Sequence, residues 1–350
     1  MKIKSLLIGS AALMTASSGA YAADAIVMAE PEPVEYVRVC DVYGAGFFYI
    51  PGTETCLKIG GLVRFELRMP NTGGYNTFTR FQLNVDARSE NEWGTLRAYA
   101  EGRFDYGLVT TTTWPGGVAT PVTAYGTTSY VNQAFIEQTL GGGTVRLGKS
   151  DTPYARFLGY GSEFGPYDGT YAFRNANELS YTFAGGNGFS AILAVIDNVG
   201  DNTWSTDVEG GVKFSQGWGS IGVIAGYDSV GVAGVTSWGA KGVLRVGPAN
   251  GFSAGLHVFY ASGPGVYAIT DPGAAAAAGA HWSILGHAKY AFSPKAAVAV
   301  GAQWFDYTGG WVITGGLDLK PVAGLQIQPE IQYRSSNASW QGIIRVNRTF

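Results

Sequence analysis

Trp340-Gln341-Gly342-Ile343-Ile344-Arg345-Val346-Asn347-Arg348-Thr349-Phe350 closes the chain. Read with period two, it sets Trp340, Gly342, Ile344 and Val346 on one side and Gln341, Ile343, Arg345 and Asn347 on the other. That is a strand with one apolar and one polar face. Such a strand either buries its apolar face in a core or stands between lipid and water. The preceding segments decide which.

Leu325, Ile327, Ile331 and Tyr333 alternate with Gln326, Gln328, Glu330, Gln332 and Arg334. Far upstream, Phe81, Leu83, Val85 and Ala87 oppose Arg80, Gln82, Asn84, Asp86 and Arg88, and Val63, Phe65 and Leu67 oppose Arg64, Glu66 and Arg68. Leu96, Ala98 and Ala100 likewise face away from Arg97, Tyr99, Glu101 and Arg103. A face of mixed charges cannot be a dry core. About sixteen such segments follow Cys56, each near the ~9–11 residues that a tilted membrane strand requires. Turn signals of unequal length separate them: Gly141-Gly142-Gly143 and Ser293-Pro294 are short, Gly107 to Thr128 and Ala261 to Ala280 long. Aromatics sit at or near the ends of many apolar faces (Phe81, Phe183, Tyr227, Trp238, Tyr260, Tyr290 and Tyr333), which suits the lipid headgroup level. No long segment after the N-terminal residues carries a helical period. Charged residues make up 14% of the chain, sparse beside the roughly one quarter of a soluble protein. The reading is all-β: a transmembrane antiparallel β-barrel of 16 strands. Counting back by twos, Arg348 falls on the lipid face, so it should lie at the rim, where its stem reaches the headgroups.

The chain opens with the marks of an export signal. Lys2 and Lys4 form a charged start, Leu6 to Leu13 an apolar stretch, and Ala20-Tyr21-Ala22 a small-residue cleavage site. Residues 1–22 are therefore expected to be removed, residues 23–56 to form a periplasmic lead-in, and residues 57–350 the barrel. Losing the two lysines takes the formal charge from -3 to -5, which gives no reason to expect a nucleic-acid partner. Cys40 and Cys56, the only cysteines, lie close together on a chain bound for an oxidising compartment, so a disulfide is expected. A metal site would need a nearby His or a second Cys pair, and neither is there. No metal and no cofactor are expected.

Tyr36-Val37-Arg38-Val39-Cys40 and Gly46-Phe47-Phe48-Tyr49-Ile50-Pro51-Gly52-Thr53-Glu54-Thr55-Cys56-Leu57-Lys58-Ile59-Gly60-Gly61 resemble the opening of the alphaproteobacterial general porins, the Brucella and Rhizobium type. The terminal Phe350 is similar to the last residue of outer-membrane barrels. The resemblance implies a sixteen-stranded barrel in the Gram-negative outer membrane. Its partners would be two further copies in a homotrimer, lipid, lipopolysaccharide, and the small hydrophilic solutes and ions that it passes. It also implies that the third external loop folds into the channel, here about residues 150–173. Within that stretch Ser162-Glu163-Phe164-Gly165-Pro166-Tyr167-Asp168 is similar to the Pro-Glu-Phe-Gly-Gly-Asp segment of enteric porins, departing from it at Ser162 and Pro166. Glu163 and Asp168 become the acids of the constriction. Arg80 in its Thr-Arg-Phe setting, Lys149 at the usual Gly-Arg position and Arg174 in Phe-Arg-Asn become its bases. Arg64 and Arg97 join them by strand parity. Acids on the loop and bases on the wall would then set a field across the water between them, to which polar solutes can align.

Two other chemistries are argued against. Gly143-Thr144-Val145-Arg146-Leu147-Gly148-Lys149-Ser150 fits the phosphate-loop pattern, but its middle residues alternate as a strand and Pro153 follows, so no nucleotide is expected. Catalysis lacks a recognisable nucleophile or metal-hydrolase motif. His257 and His287 have lumen parity and read as solvated wall residues. The expectation is a non-enzymatic general diffusion channel; the alternative is a channel selective for one sugar or anion.

Overall fold

A computed structural model describes residues 38–113, 119–162, 165–198, 204–232, 235–275, 279 and 281–350. The expected signal peptide and the lead-in up to residue 37 lie outside the described residues. Sixteen antiparallel strands close on themselves: β2 (Cys56–Met69), β3 (Asn76–Asn91), β4 (Gly94–Thr113), β5 (Thr120–Leu140), β6 (Gly143–Asp151), β7 (Asn175–Ala184), β8 (Phe189–Asp197), β9 (Thr206–Gln216), β10 (Gly219–Val232), β11 (Val235–Ala249), β12 (Phe252–Ala261), β13 (His281–Ser293), β14 (Ala296–Phe305), β15 (Trp311–Leu319), β16 (Leu325–Arg334) and β17 (Ser339–Thr349). A two-residue strand, β1 (Phe48–Tyr49), pairs with the start of β2. Each barrel strand pairs with the next, and β17 pairs with β2 to close the ring. All of this belongs to the unit Val39–Phe350.

Burial is inverted relative to a soluble fold. On β2, Phe65 is 45% exposed while its neighbour Glu66 is 1% exposed. The apolar residues face outward and the charged ones inward, which a sandwich core could not tolerate and a membrane requires. Outward aromatics gather at both rims. Trp238, Tyr260 and Trp282 are packed with centroid spacings of 4.9 and 4.8 Å at the ends of β11–β13 that lie on the rim of the long β12–β13 connection. Phe252, paired with Tyr290, and Phe189, paired with Phe214, mark the opposite rim of short turns. Aliphatic residues such as Leu244, Leu256 and Ile284 fill the band between.

β4 and β5 run for 20 and 21 residues, about twice a membrane crossing. The stretch Gly107 to Thr128, expected as a long loop, is mostly this extended hairpin. β-Branched residues favour it, and Thr110 and Thr123 bond across it at 2.7 Å. The phosphate-loop lookalike, Gly143–Ser150, lies in strand β6.

Cys40 and Cys56 are joined in a disulfide. The loop that they close packs on inward residues of β2 and β3 at the short-turn rim. Arg88 lies over the Phe47 ring, Tyr43 donates to Glu90 at 2.7 Å, and Lys58 donates to the Ala45 carbonyl at 3.0 Å. Burial, then the bond to Glu90, pushes the Tyr43 phenol up to about 12, so it stays a donor.

Candidate lumen constriction

The connection from β6 to β7, residues 152–174, is the third on the long-loop rim, and it turns inward. Its legs are pinned where Thr152 N–H donates to the Arg174 carbonyl at 3.0 Å. One helical turn, α1 (Pro153–Arg156), starts it, with proline at the position that has no helical partner to lose. Tyr154, Phe157 and Leu158 are buried against Ile192, Ile224 and Val243, inward residues of β8, β10 and β11. Each such side chain contributes about 1.5–3 kcal/mol by leaving water. Gly222 makes room for this: a Cβ there would come within 2.5 Å of Leu158.

Charges then fix the backbone. Lys241, on β11, donates to the Tyr154 carbonyl; Lys213 reaches the Phe157 carbonyl at 3.1 Å, and Arg245 the Tyr160 carbonyl at 2.7 Å. These cations meet carbonyls at the end of a helical turn, where the backbone is electronegative. In the other direction Glu209 accepts the Tyr154 N–H at 2.6 Å. Further along, Gln303 on β14 both accepts from and donates to the Thr170 backbone at 2.8 Å, and Glu330 on β16 accepts the Tyr167 N–H at 2.9 Å. The segment therefore lies along the β8–β16 wall, and the open gap is between it and the β2–β6 wall. Tyr160, Tyr171 and Phe173 pack edge to edge on it. Burial raises the phenol pKa of Tyr160, Tyr167 and Tyr171, so they act as neutral donors; Tyr171 donates to Asp168 at 3.1 Å.

The opposite wall carries arginines in register. Arg64 pairs across strands with Arg80, and Arg80 with Asp105. Arg80 holds Asp105 through two bonds of 2.8 Å. Arg97 bonds Asp86 at 3.0 and 2.9 Å and Glu137 at 2.8 Å. Among the described residues eight guanidiniums (Arg64, Arg68, Arg80, Arg88, Arg97, Arg103, Arg146 and Arg345) share five carboxylates (Glu66, Asp86, Glu101, Asp105 and Glu137) in four separate groups. The wall is thus a mixed ladder with an excess of three positive charges. It is not the row of bases unpartnered by contact that the sequence led us to expect.

Of the expected constriction residues, Arg64 and Arg80 stand opposite each other on the wall and Asp168 lies on the inward segment, whereas Arg97, though on the same lumen face, stands opposite Arg88, eight residues along β3 from Arg80 toward the short-turn rim. Glu163 lies outside the described residues. Lys149 is placed differently: it shares the outward parity of Leu147, faces Ala134 and Asn177 across its neighbours, and donates to the Val131 carbonyl at 2.8 Å. The inward positions of β6 are Arg146, Gly148 and Ser150, so parity excludes Lys149 from the lumen. Arg174 is not on the arginine wall; it pairs with Asp207 on β9 and donates to the Asp197 carbonyl at 3.1 Å. Of the two lumen-parity histidines, His257 is not solvated, while His287 is half-buried. His257 is fully buried, with its Nε2 3.4 Å from both Arg245 and His287. The inward segment covers this part of the wall, which strand parity alone cannot reveal. The wall carboxylates that sequence reading left unpaired had a visible signal: acid and arginine two apart on one face, as in Glu66/Arg68, Asp86/Arg88 and Glu101/Arg103. The holding residues Lys213, Lys241 and Arg245 gave none, because their partners are backbone carbonyls.

Comparison with known proteins bears on the barrel and the family. Among solved structures, a doubly substituted variant of Rh. blastica porin superposes with a TM-score of 0.59 at 18% identity, covering 84% of this chain and 100% of that one. The outer membrane channel DcaP of Acinetobacter baumannii gives 0.59 at 10% identity, covering 86% and 99%. These establish the barrel fold. In sequence, Porin Omp2b of Brucella abortus (strain 2308) and of Brucella melitensis biotype 1 are each 38% identical over 383 residues, covering all of both chains. The family model described as Porin subfamily matches residues 24–349, and the chain belongs to that family.

Proposed function

We propose that this outer-membrane barrel is a general porin: a water-filled channel through which small hydrophilic solutes and ions diffuse passively. The observation that carries the reading is the ion-paired lumen wall, opposed by a segment seated on the other wall with a gap between them. A solute in that gap meets guanidinium N–H groups and carboxylates on one side and tyrosine hydroxyls on the other. Arg64 and Arg80 on the wall face Asp168 and Glu163 on the segment in this proposal, Arg97 lies nearer the short turns, and the wall's excess positive charge sustains a transverse field even though its arginines are paired. Arg174 would act on the segment's leg, holding it through Asp207. The short-turn rim, with Phe350 and the disulfide loop, is the periplasmic side by the usual asymmetry of such barrels. Cleavage after Ala22 is supported by the family match, which starts at residue 24. The homotrimer and the lipopolysaccharide contact belong to the same reading, and cross-linking of detergent-extracted protein tests the trimer.

Liposome swelling with sugars of graded size tests the function. A rate that falls with size and does not saturate is expected. Saturation for a single sugar would favour a substrate-selective channel, and absence of swelling would overturn the reading.

A further inference from the structure

We propose that the lumen holds a binding site for a dianionic phosphate group, free or on a small phosphomonoester, in a recess on the short-turn side of the inward segment. The proposal deepens the diffusion-channel reading and rests on it, naming one class of solute that the channel retains in passing. The recess has a volume of about 420 Å³ and is bounded by β3–β7 and by Arg156 of the segment.

Its lining comes in two cross-strand rows. In the upper row Arg88 stands opposite Arg97, Arg97 opposite Glu137, and Glu137 opposite Arg146. One step nearer the short turns, Thr139 stands opposite Thr144 and Thr144 opposite Thr182. Strand pairing projects both rows to the same side, so guanidiniums and hydroxyls converge on one volume.

The charges are distributed unevenly in depth. Four guanidiniums line the recess and only one carboxylate, Glu137, does so. The other acids lie behind: Asp86 is 9% exposed and accepts from both Arg88 and Arg97, while Glu178 is 3% exposed and pairs with Arg156. Arg88 and Arg97 are like charges placed directly opposite, a destabilising arrangement that they offset by sharing Asp86 and by the bond of Arg97 to Glu137, a carboxylate that Arg146 also uses. Each carboxylate also leaves donors over. Arg88 bonds Asp86 through Nε and Nη2, and Arg156 uses Nε and Nη2, so the Nη1 group of each has no protein partner among the described residues. The hydroxyls of Thr139, Thr144 and Thr182 likewise donate to no described residue. A tetrahedral oxyanion with two charges and several acceptor oxygens can use forked N–H pairs from more than one arginine and a hydroxyl as well. Chloride, a single sphere of one charge, cannot use that geometry. The volume exceeds that of the ion alone, which leaves room for retained water or for a small organic substituent.

The test is calorimetric titration of the refolded, detergent-solubilised full chain at pH 8 in chloride buffer, with inorganic phosphate in one arm and glycerol phosphate in the other. Saturable binding of either, at one site per chain, is expected. Binding of inorganic phosphate alone identifies the free ion; tighter binding of glycerol phosphate identifies the ester. Arg88→Gln should weaken binding roughly tenfold, as the loss of a charge-assisted contact does. Asp86 keeps Arg97 in that variant, so the wall stays paired. Thr144→Val removes only a hydroxyl at nearly constant volume and should weaken binding about threefold. Arg334→Gln, on β16 away from the recess, should leave it unchanged. Heats no larger than those of chloride, or affinities that Arg88→Gln and Thr144→Val leave unmoved, would overturn the site. Conductance in potassium chloride is scored separately. A chain that conducts but binds no phosphate keeps the channel and loses the site; one that binds but does not conduct keeps the site and loses the channel.

Discussion

Glu330 on β16 accepts the backbone N–H of Tyr167 at 2.9 Å, fixing to the far side of the barrel a segment that left the wall at β6. Gly165 allows the approach, since a Cβ there would lie 2.5 Å from the same carboxylate. Glu330→Ala removes the acceptor and frees the tip, while Gln303 still holds Thr170. Single-channel conductance should rise and become noisier, by up to about twofold if the released tip widens the gap. A conductance equal to that of the unaltered chain would mean that the Gln303 contact alone sets the aperture.

Arg80 and Asp105 invite a charge-neutralising pair of experiments. Arg80→Gln lowers the wall's positive excess by one and leaves Asp105, 8% exposed, without its guanidinium. Stability should fall by about 1–3 kcal/mol, below the cost of breaking a pair in a dry interior because the lumen is wet. In a salt gradient the reversal potential should move toward cation preference. Asp105→Asn should move it the other way, and the double variant should return close to the starting value. Equal potentials in all three would remove this pair from the selectivity of the pore.

Strand alternation carried most of the architecture: the inward placement of Arg64, Arg80 and Arg97 and the outward placement of Phe65 follow from period two alone. Where the reading failed, a second layer of structure was responsible. Lys149 was assigned by motif against its own parity, and parity prevailed. His257 was read as wetted because an inward strand position normally meets water, but Tyr154, Leu158 and their neighbours cover that wall. The stretch from Gly107 to Thr128 reads as a long connection from its turn signals, but β-branched pairing carries the hairpin past the bilayer. Segment contacts to backbone carbonyls, such as that of Lys213 to Phe157, leave no trace in residue type.

The disulfide offers a separable stability test. Cys40 and Cys56 are 16 residues apart, and a cross-link of that length contributes about 3 kcal/mol by restricting the unfolded chain. Here it closes a small loop packed by Phe47 and Tyr43 and not the barrel. Cys40→Ser with Cys56→Ser should therefore expose residues 41–55 to protease while the barrel keeps its resistance to unfolding in cold detergent. Loss of the folded band on a gel would show that the loop is needed to close β2.

The seam between first and last barrel strands depends on the terminal residue. Phe350 N–H donates to the Gly61 carbonyl and Gly61 N–H donates to that of Phe350, both at 3.1 Å. The ring lies over Gly61, where a Cβ would come within 3.1 Å of it, and stacks on Phe81 at 6.5 Å with an angle of 10°. Gly61 is thus constrained by close approach to a ring on the outer face. Deleting Phe350 removes two ladder bonds and the aromatic cover at the one place where the barrel is closed by distant parts of the sequence. Gly61→Val should act similarly, because its side chain would displace the ring and meet the Gln82 carbonyl. Both variants should melt at lower temperature, with amide exchange accelerating first along β17 and β2. If exchange rises uniformly around the barrel, the seam is no weaker than the other strand pairs. Phe350→Leu separates the two contributions, since it keeps the bonds and loses the stacking. It should fall between the unaltered chain and the deletion.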